Sequence, residues 1–163
     1  MGRSLLPLDP ADPQLEYALG RAYKGTNPAE GVRHFRRAVE LSPYSRRYWS
    51  HLGSACESAG DAQCAVQAWE RVLQLCPMVP LYHWRAAQSY LAANRQDESV
   101  AQFRRLLQLD PGYASATWVS LQPALEPDAI FQKMLADRTD SAIKVDFVDF
   151  LSDEGNNDAA YRV

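Results

Sequence analysis

Apolar residues recur along this chain at helical spacing, in paired runs separated by short polar turns. Residues 46–59, "RRYWSHLGSACESA", place Trp49, Leu52, Gly53 and Cys56 on one face. After "GD" at 60 and 61, residues 62–76 place Ala65, Trp69, Val72 and Leu75 on one face of a second run. A short turn between two such helices predicts an antiparallel hairpin. The second runs close alike: "VELSP" ends at Pro43, "LQLCP" at Pro77 and "LQLDP" at Pro111, prolines 34 residues apart. Further upstream "PLDP" ends at Pro10, 33 residues before Pro43. A helix cannot continue through proline, so each phrase marks a stop. The stretch "LQLCPMVPLYHW" is therefore a joint between two units, and Cys76 and His83 are explained without a metal.

One helical hairpin cannot bury its apolar face alone, so successive hairpins must stack. The repeated pattern resembles the tetratricopeptide repeat, whose signature is W-x2-L-G-x2-Y, then A-x3-F, then P, over about 34 residues. The second unit matches with Trp49, Leu52, Gly53, Ala65, Trp69 and Pro77, and has Cys56 where tyrosine is usual. The third matches with Ala86, Ala87, Tyr90, Ser99, Phe103 and Pro111, but puts His83 in the tryptophan position. The first offers Leu19, Gly20, Tyr23, Phe35, Ala38 and Pro43, with Glu16 for tryptophan and Gly31 for alanine. The resemblance implies an all-α, right-handed superhelical solenoid of antiparallel helix pairs. It is expected to form a single domain over 1–163, with repeats at about 13–45, 46–79 and 80–113. A degenerate unit follows at 114–140, shortened by Pro123 and Pro127, and a truncated one at 141–163. Opening on the tail of one repeat and stopping inside another, the chain reads as a segment of a longer protein. In the last unit Ile143, Phe147, Phe150 and Leu151 form an apolar face that the final half-helix is too short to cover. That face is expected to fray or to pair with another chain.

Composition narrows the function. The 163 residues are 47% hydrophobic and 23% charged, a folded rather than a disordered balance. A net charge of −3 argues against nucleic-acid binding, which needs a strongly basic surface. No apolar run is long enough to span a membrane, and the N-terminus does not read as a signal peptide. The three cysteines, Cys56, Cys64 and Cys76, have no zinc-like spacing, and an odd count argues against a disulfide framework. They are expected to be buried, unpaired thiols packing as small hydrophobes, with one opportunistic bridge as the alternative. The sequence carries no phosphate loop, GxGxxG, HExxH or GxSxG. The expectation is a non-catalytic chain without cofactor or metal.

What remains is a binding face. In a stacked solenoid the first helices of successive hairpins line a concave surface. Opposite the packed stripe, the first helices present Tyr17, Arg21 and Lys24; Arg47, His51 and Ser54; Trp84, Arg85 and Gln88; and Trp118. Glu57 is the acid on this surface. A basic strip beside aromatic residues suits a protein or peptide partner bearing carboxylates, with arginine forks on the acids and Trp84 as an apolar anchor. Some family members grip a C-terminal carboxylate with a lysine–asparagine clamp, and here Tyr17, Arg21, Ser54, Leu81 and Arg85 stand at those positions, so only part of the basic character is kept. The phrases "YHWRAAQSYL", "SPYSRRYW" and "VDFVDFLSDEGNNDAAYRV" are also similar to the soluble repeat tail of bacterial O-antigen ligase-like membrane proteins. That second resemblance implies an accessory region of an envelope glycosyl-transfer enzyme. The compartment is then periplasmic, against cytoplasmic for a free adaptor.

Overall fold

Local chemistry starts and stops each helix. The computed structural model describes residues 12–137 and 140–162, so the "PLDP" phrase ending at Pro10 lies outside the described residues. Asp12, Asn27, Ser45, Asp61 and Asp140 each accept a hydrogen bond from a backbone N–H of the first helical turn, filling an orphan donor there. Proline stands at the first turn of four helices, where its missing N–H costs nothing. At the other end, Ser42, Cys76 and Asp110 cap the helices that run into Pro43, Pro77 and Pro111. Their φ values of −141°, −144° and −151° lie outside the helical range, which a following proline disfavours for the residue before it. Turns between paired helices use the left-handed region at Gly60 (φ 73°) and, in the next unit, at Asn94 (φ 57°).

All regular structure among the described residues is helical. The chain forms two compact units, Met1–Pro77 and Met78–Val163. The first holds α1 (Pro13–Tyr23), α2 (Pro28–Leu41), α3 (Arg46–Ser58) and α4 (Ala62–Leu75). Helices α1 and α2 pair, α3 and α4 pair, and α3 packs on α2. The second unit holds α5 (Pro80–Ala92), α6 (Gln96–Leu109), α7 (Ala114–Leu121), α8 (Pro127–Met134), α9 (Ser141–Asp153) and α10 (Asn157–Arg162), with a short 3-10 turn at Pro111–Tyr113. There α5 pairs with α6, and α9 packs on α7 and α10. These stacked antiparallel hairpins are the all-α repeat architecture that the sequence pattern predicts.

Close helix approach is set by small residues facing large rings. A Cβ on Gly53 would lie 2.7 Å from Trp69 Cε2, and one on Gly20 would lie 2.8 Å from Phe35 Cδ1. Phe35 and Trp69 are both buried in the first unit, alongside Ala38, Leu52, Ala55 and Val72. The indole of Trp69 donates to Glu57 Oε1 at 2.7 Å, so the acid read as part of the open surface braces its own hairpin instead.

The structure differs from three sequence expectations. Cys56 and Cys64 are not free thiols: the structure joins them in a disulfide across the α3–α4 turn, leaving Cys76 unpaired. The C-terminal apolar face is not open either. Ile143, Phe147 and Leu151 are buried, and Phe150 packs on the same cluster. The short α10 suffices because Ala159, fully buried, brings it flush against α9. Finally, Trp118 is no surface residue. It has no exposed area, meets Phe147 edge-on at 5.0 Å, and donates its indole N–H to Asp146 Oδ1 at 2.7 Å. Helix α9 lies over the face of α7 that the repeat register assigns to solvent.

Two stability measurements follow from this packing. Gly53→Leu is expected to lower unfolding free energy by about 1–3 kcal/mol through overpacking against Trp69. Gly25→Ala, where an added Cβ meets nothing within 4 Å, is the neutral control in the same urea titration. In the second unit Phe147→Ala is expected to cost about 3–5 kcal/mol, as a large ring lost from a closed core does.

Candidate functional site

The sequence-predicted residues divide between the two units. In the first, α1 supplies Tyr17, Arg21 and, at its C-terminal cap, Lys24, while α3 supplies Arg47, His51 and Ser54. They meet on Tyr17. Its ring is buried, stacks obliquely on Tyr48 at 5.0 Å, and meets Phe35 at 5.8 Å and the His51 imidazole edge-on at 4.9 Å. Its hydroxyl is shared between two neighbours of α3. Arg47 Nε donates to it at 3.1 Å, and His51 Nε2 lies 3.0 Å away.

The other imidazole nitrogen settles the proton arrangement. His51 Nδ1 lies 2.9 Å from the Arg47 carbonyl, which can only accept, so Nδ1 carries the hydrogen. In the neutral ring Nε2 then accepts, and Tyr17 donates to it while accepting from Arg47. Burial holds the His51 pKa below its ordinary value of 6.5, and the charges of Lys24, Arg47 and Arg21 push the same way, against the opposing carbonyl bond. The guanidinium carbons of Arg47 and Arg21 lie 4.5 Å and 5.9 Å from the centre of the Tyr17 ring. Among the described residues no acid pairs with Arg21, Lys24 or Arg47. Two arginines thus lie over one tyrosine, and the charge of Lys24 reaches the His51 imidazole beside it. Ser54 is half-buried further along α3, where its carbonyl accepts from Ser58.

In the second unit, α5 carries Trp84, Arg85 and Gln88. Trp84 is half-buried, its indole packed edge-on to Phe103 at 5.7 Å and obliquely to Tyr113 at 5.8 Å. Much of this ring is part of the hairpin's own packing, so less of it is offered to a ligand than the sequence suggests. Gln88 Nε2 donates to Ser120 Oγ at 2.8 Å, tying α5 to α7, and Arg85 is exposed. The joint residues are also accounted for. Cys76 caps α4, and the buried His83 bonds through Nδ1 to Gln102 Oε1 at 2.8 Å. No group of three or more His, Cys, Asp or Glu residues able to hold a metal ion occurs among the described residues. The shared Tyr17 hydroxyl leaves no mark in the sequence because its partners lie 30 and 34 residues on, and only the stacking of α3 on the first hairpin brings them together.

The tetratricopeptide repeat family model matches residues 17–80 and again 60–114, so that the matched stretches cover more than half of the chain. The chain belongs to the tetratricopeptide repeat family. A curated relative, the TPR repeat-containing protein PA0015 of Pseudomonas aeruginosa, is 40% identical over 60 residues, which span 36% of this chain and 57% of that protein. Solved structures share the fold. The crystal structure of MamA matches with a TM-score of 0.67 at 17% identity, over 90% of this chain and 82% of that one. The Yersinia enterocolitica type III secretion chaperone SycD, solved with a peptide of the translocator YopD, matches with a TM-score of 0.57 at 16% identity, over 68% and 89%. None of these relatives supports the resemblance to O-antigen ligase tails, and no helix among the described residues is long and apolar enough to cross a membrane.

Two measurements probe the Tyr17 arrangement. Tyr17→Phe keeps the ring and removes the shared hydroxyl, so it is expected to cost about 0.5–1.5 kcal/mol and to speed solvent exchange of the Arg47 Nε–H in nuclear magnetic resonance spectra. The depressed His51 pKa gives a pH dependence with a definite sign. Below pH 6.5 the unfolded chain binds a proton that the folded chain refuses, so stability falls with pH from there down to the folded pKa. His51→Gln is expected to flatten that part of a melting-temperature profile between pH 7.5 and 5.

Proposed function

We propose that this tetratricopeptide-repeat chain is a non-catalytic interaction scaffold that binds an acid-bearing protein or peptide segment on the face formed by α1 and α3. The observation that carries this reading is the collection of Arg21 and Arg47 over Tyr17, with Lys24 acting on the adjacent His51 and no acid paired with any of the three among the described residues. Like charges held together gain from an incoming anion, and an arginine fork offers two parallel donors to a carboxylate. Tyr17 fixes one of those forks by accepting from Arg47 Nε, leaving the terminal nitrogens of that guanidinium to meet a ligand. The half-exposed edge of Trp84, beside Arg85, gives the second unit a contact face of the same aromatic and basic character. The SycD structure shows a related fold solved with a peptide, which supports the class of partner.

Exposed ion pairs are worth about 1 kcal/mol or less each, so binding through this face is expected to be moderate and salt-sensitive. Fluorescence anisotropy with matched acidic and neutral peptide libraries tests the reading. Wild type is expected to select acidic sequences, with affinity falling between 50 and about 500 mM salt. Arg21→Glu/Arg47→Glu is expected to weaken those ligands at least tenfold while staying folded, at a stability cost of about 0.5–1.5 kcal/mol for the lost Arg47–Tyr17 bond. Retention of every selected ligand by the double variant would show the arginines to be an ordinary solvated surface.

A further inference from the structure

We propose that Cys56 and Cys64 are a structural redox pair that takes the place of a side-chain tie in the repeat, and that this chain works in a compartment that oxidises thiols. The argument rests on a comparison between two hairpins of the same chain. Cys56 and Tyr90 occupy equivalent places, since the Cys56 carbonyl accepts from the Asp61 N–H at 2.9 Å just as the Tyr90 carbonyl accepts from the Arg95 N–H at 2.9 Å. Cys64 and Glu98 are equivalent in turn, each 34 residues apart like the helices that carry them.

In the α5–α6 hairpin those two places are tied through an arginine. Arg95 lies over the Tyr90 ring at 4.8 Å and bonds to Glu98 Oε1 at 2.8 Å. The α3–α4 hairpin has neither the ring nor the ion pair. Both positions are cysteine, and the sulfurs are bonded, with a Cα–Cα separation of 5.7 Å in the middle of the range that disulfides adopt. A single change from tyrosine to cysteine would only remove packing; the paired change replaces it with a covalent tie. Burial of both residues, at 0% and 6% exposure, then shields the bond from exchange with outside thiols. Cys76, half-buried at the end of α4, is the leftover thiol.

Such a pair suits an oxidising compartment, because reducing ones keep thiols apart. Bond formation releases two protons and two electrons from the thiols. A small-molecule or protein disulfide accepts them and departs as two thiols. Because both sulfurs are buried in the finished hairpin, this exchange occurs while α3 and α4 are still docking.

The test has two readouts. Cells that make the protein are quenched in acid, the denatured protein is alkylated, then reduced and alkylated with a second reagent, and the labels are located by mass spectrometry. Cys56 and Cys64 are expected to carry only the second label and Cys76 the first. First-label modification of Cys56 and Cys64 would overturn the assignment to an oxidising compartment. Purified protein is then melted with and without a dithiol reductant. Oxidised wild type and Cys76→Ser are expected to melt on the order of 5–10 °C higher than their reduced forms. Cys56→Ser/Cys64→Ser is expected to melt low and to ignore the reductant. Equal melting temperatures for oxidised and fully reduced wild type would overturn the structural role of the bond.

Discussion

The approach of two helices within each hairpin governs the rest of this structure. Gly20 faces Phe35 and Gly53 faces Trp69 at distances that admit no Cβ. In the third hairpin the place of these glycines is taken by Ala87, buried in one cluster with Phe103. Its carbonyl accepts from the Ser99 hydroxyl at 2.9 Å, a bond that requires the two helices to lie close. With the pairs this tight, one large ring fills each interface, and the neighbouring side chains have defined directions. Tyr17 can reach His51 and Arg47 only because α1, α2 and α3 are packed at that spacing.

The same constraint explains where charge collects. Residues facing the partner helix are apolar or small, so the cations of α1 and α3 are displaced to the remaining face. Several acids of the first unit are tied up locally. Glu30 pairs with Arg33, Glu40 with Arg37, and Glu16 with the buried His34. Glu57 holds the Trp69 indole. A chain of net charge −3 thereby presents a basic patch, which overall composition conceals. The patch is made by the directions in which side chains leave two helices, and so belongs to packing rather than to composition.

How far the pattern could be read depended on whether a feature was local. Helix stops at Pro43, Pro77 and Pro111 follow from the missing N–H of proline and its effect on the residue before it, which makes Cys76 legible as a joint residue. The small residue and the large ring of each hairpin recur with the 34-residue period and are visible by eye. The Cys56–Cys64 bond was legible in principle. The two cysteines flank a three-residue turn at the facing ends of paired helices, but counting cysteines hides what placing them in the hairpin reveals.

The sequence by itself determined the helices, their pairing and the family, because caps, proline stops and apolar periodicity act within a few residues of where they occur. Only the tertiary structure decided which surface residues stay on the surface. Trp118 and the apolar face of α9 have the spacing of exposed and uncovered positions, yet each buries the other once α9 folds over α7 and α10 closes behind it. Tyr17, read as a groove residue, became the buried pivot of a cationic cluster whose members come from two hairpins. Burial is a property of what lies opposite, and in a repeat chain the opposing residue is one full period or more away in sequence.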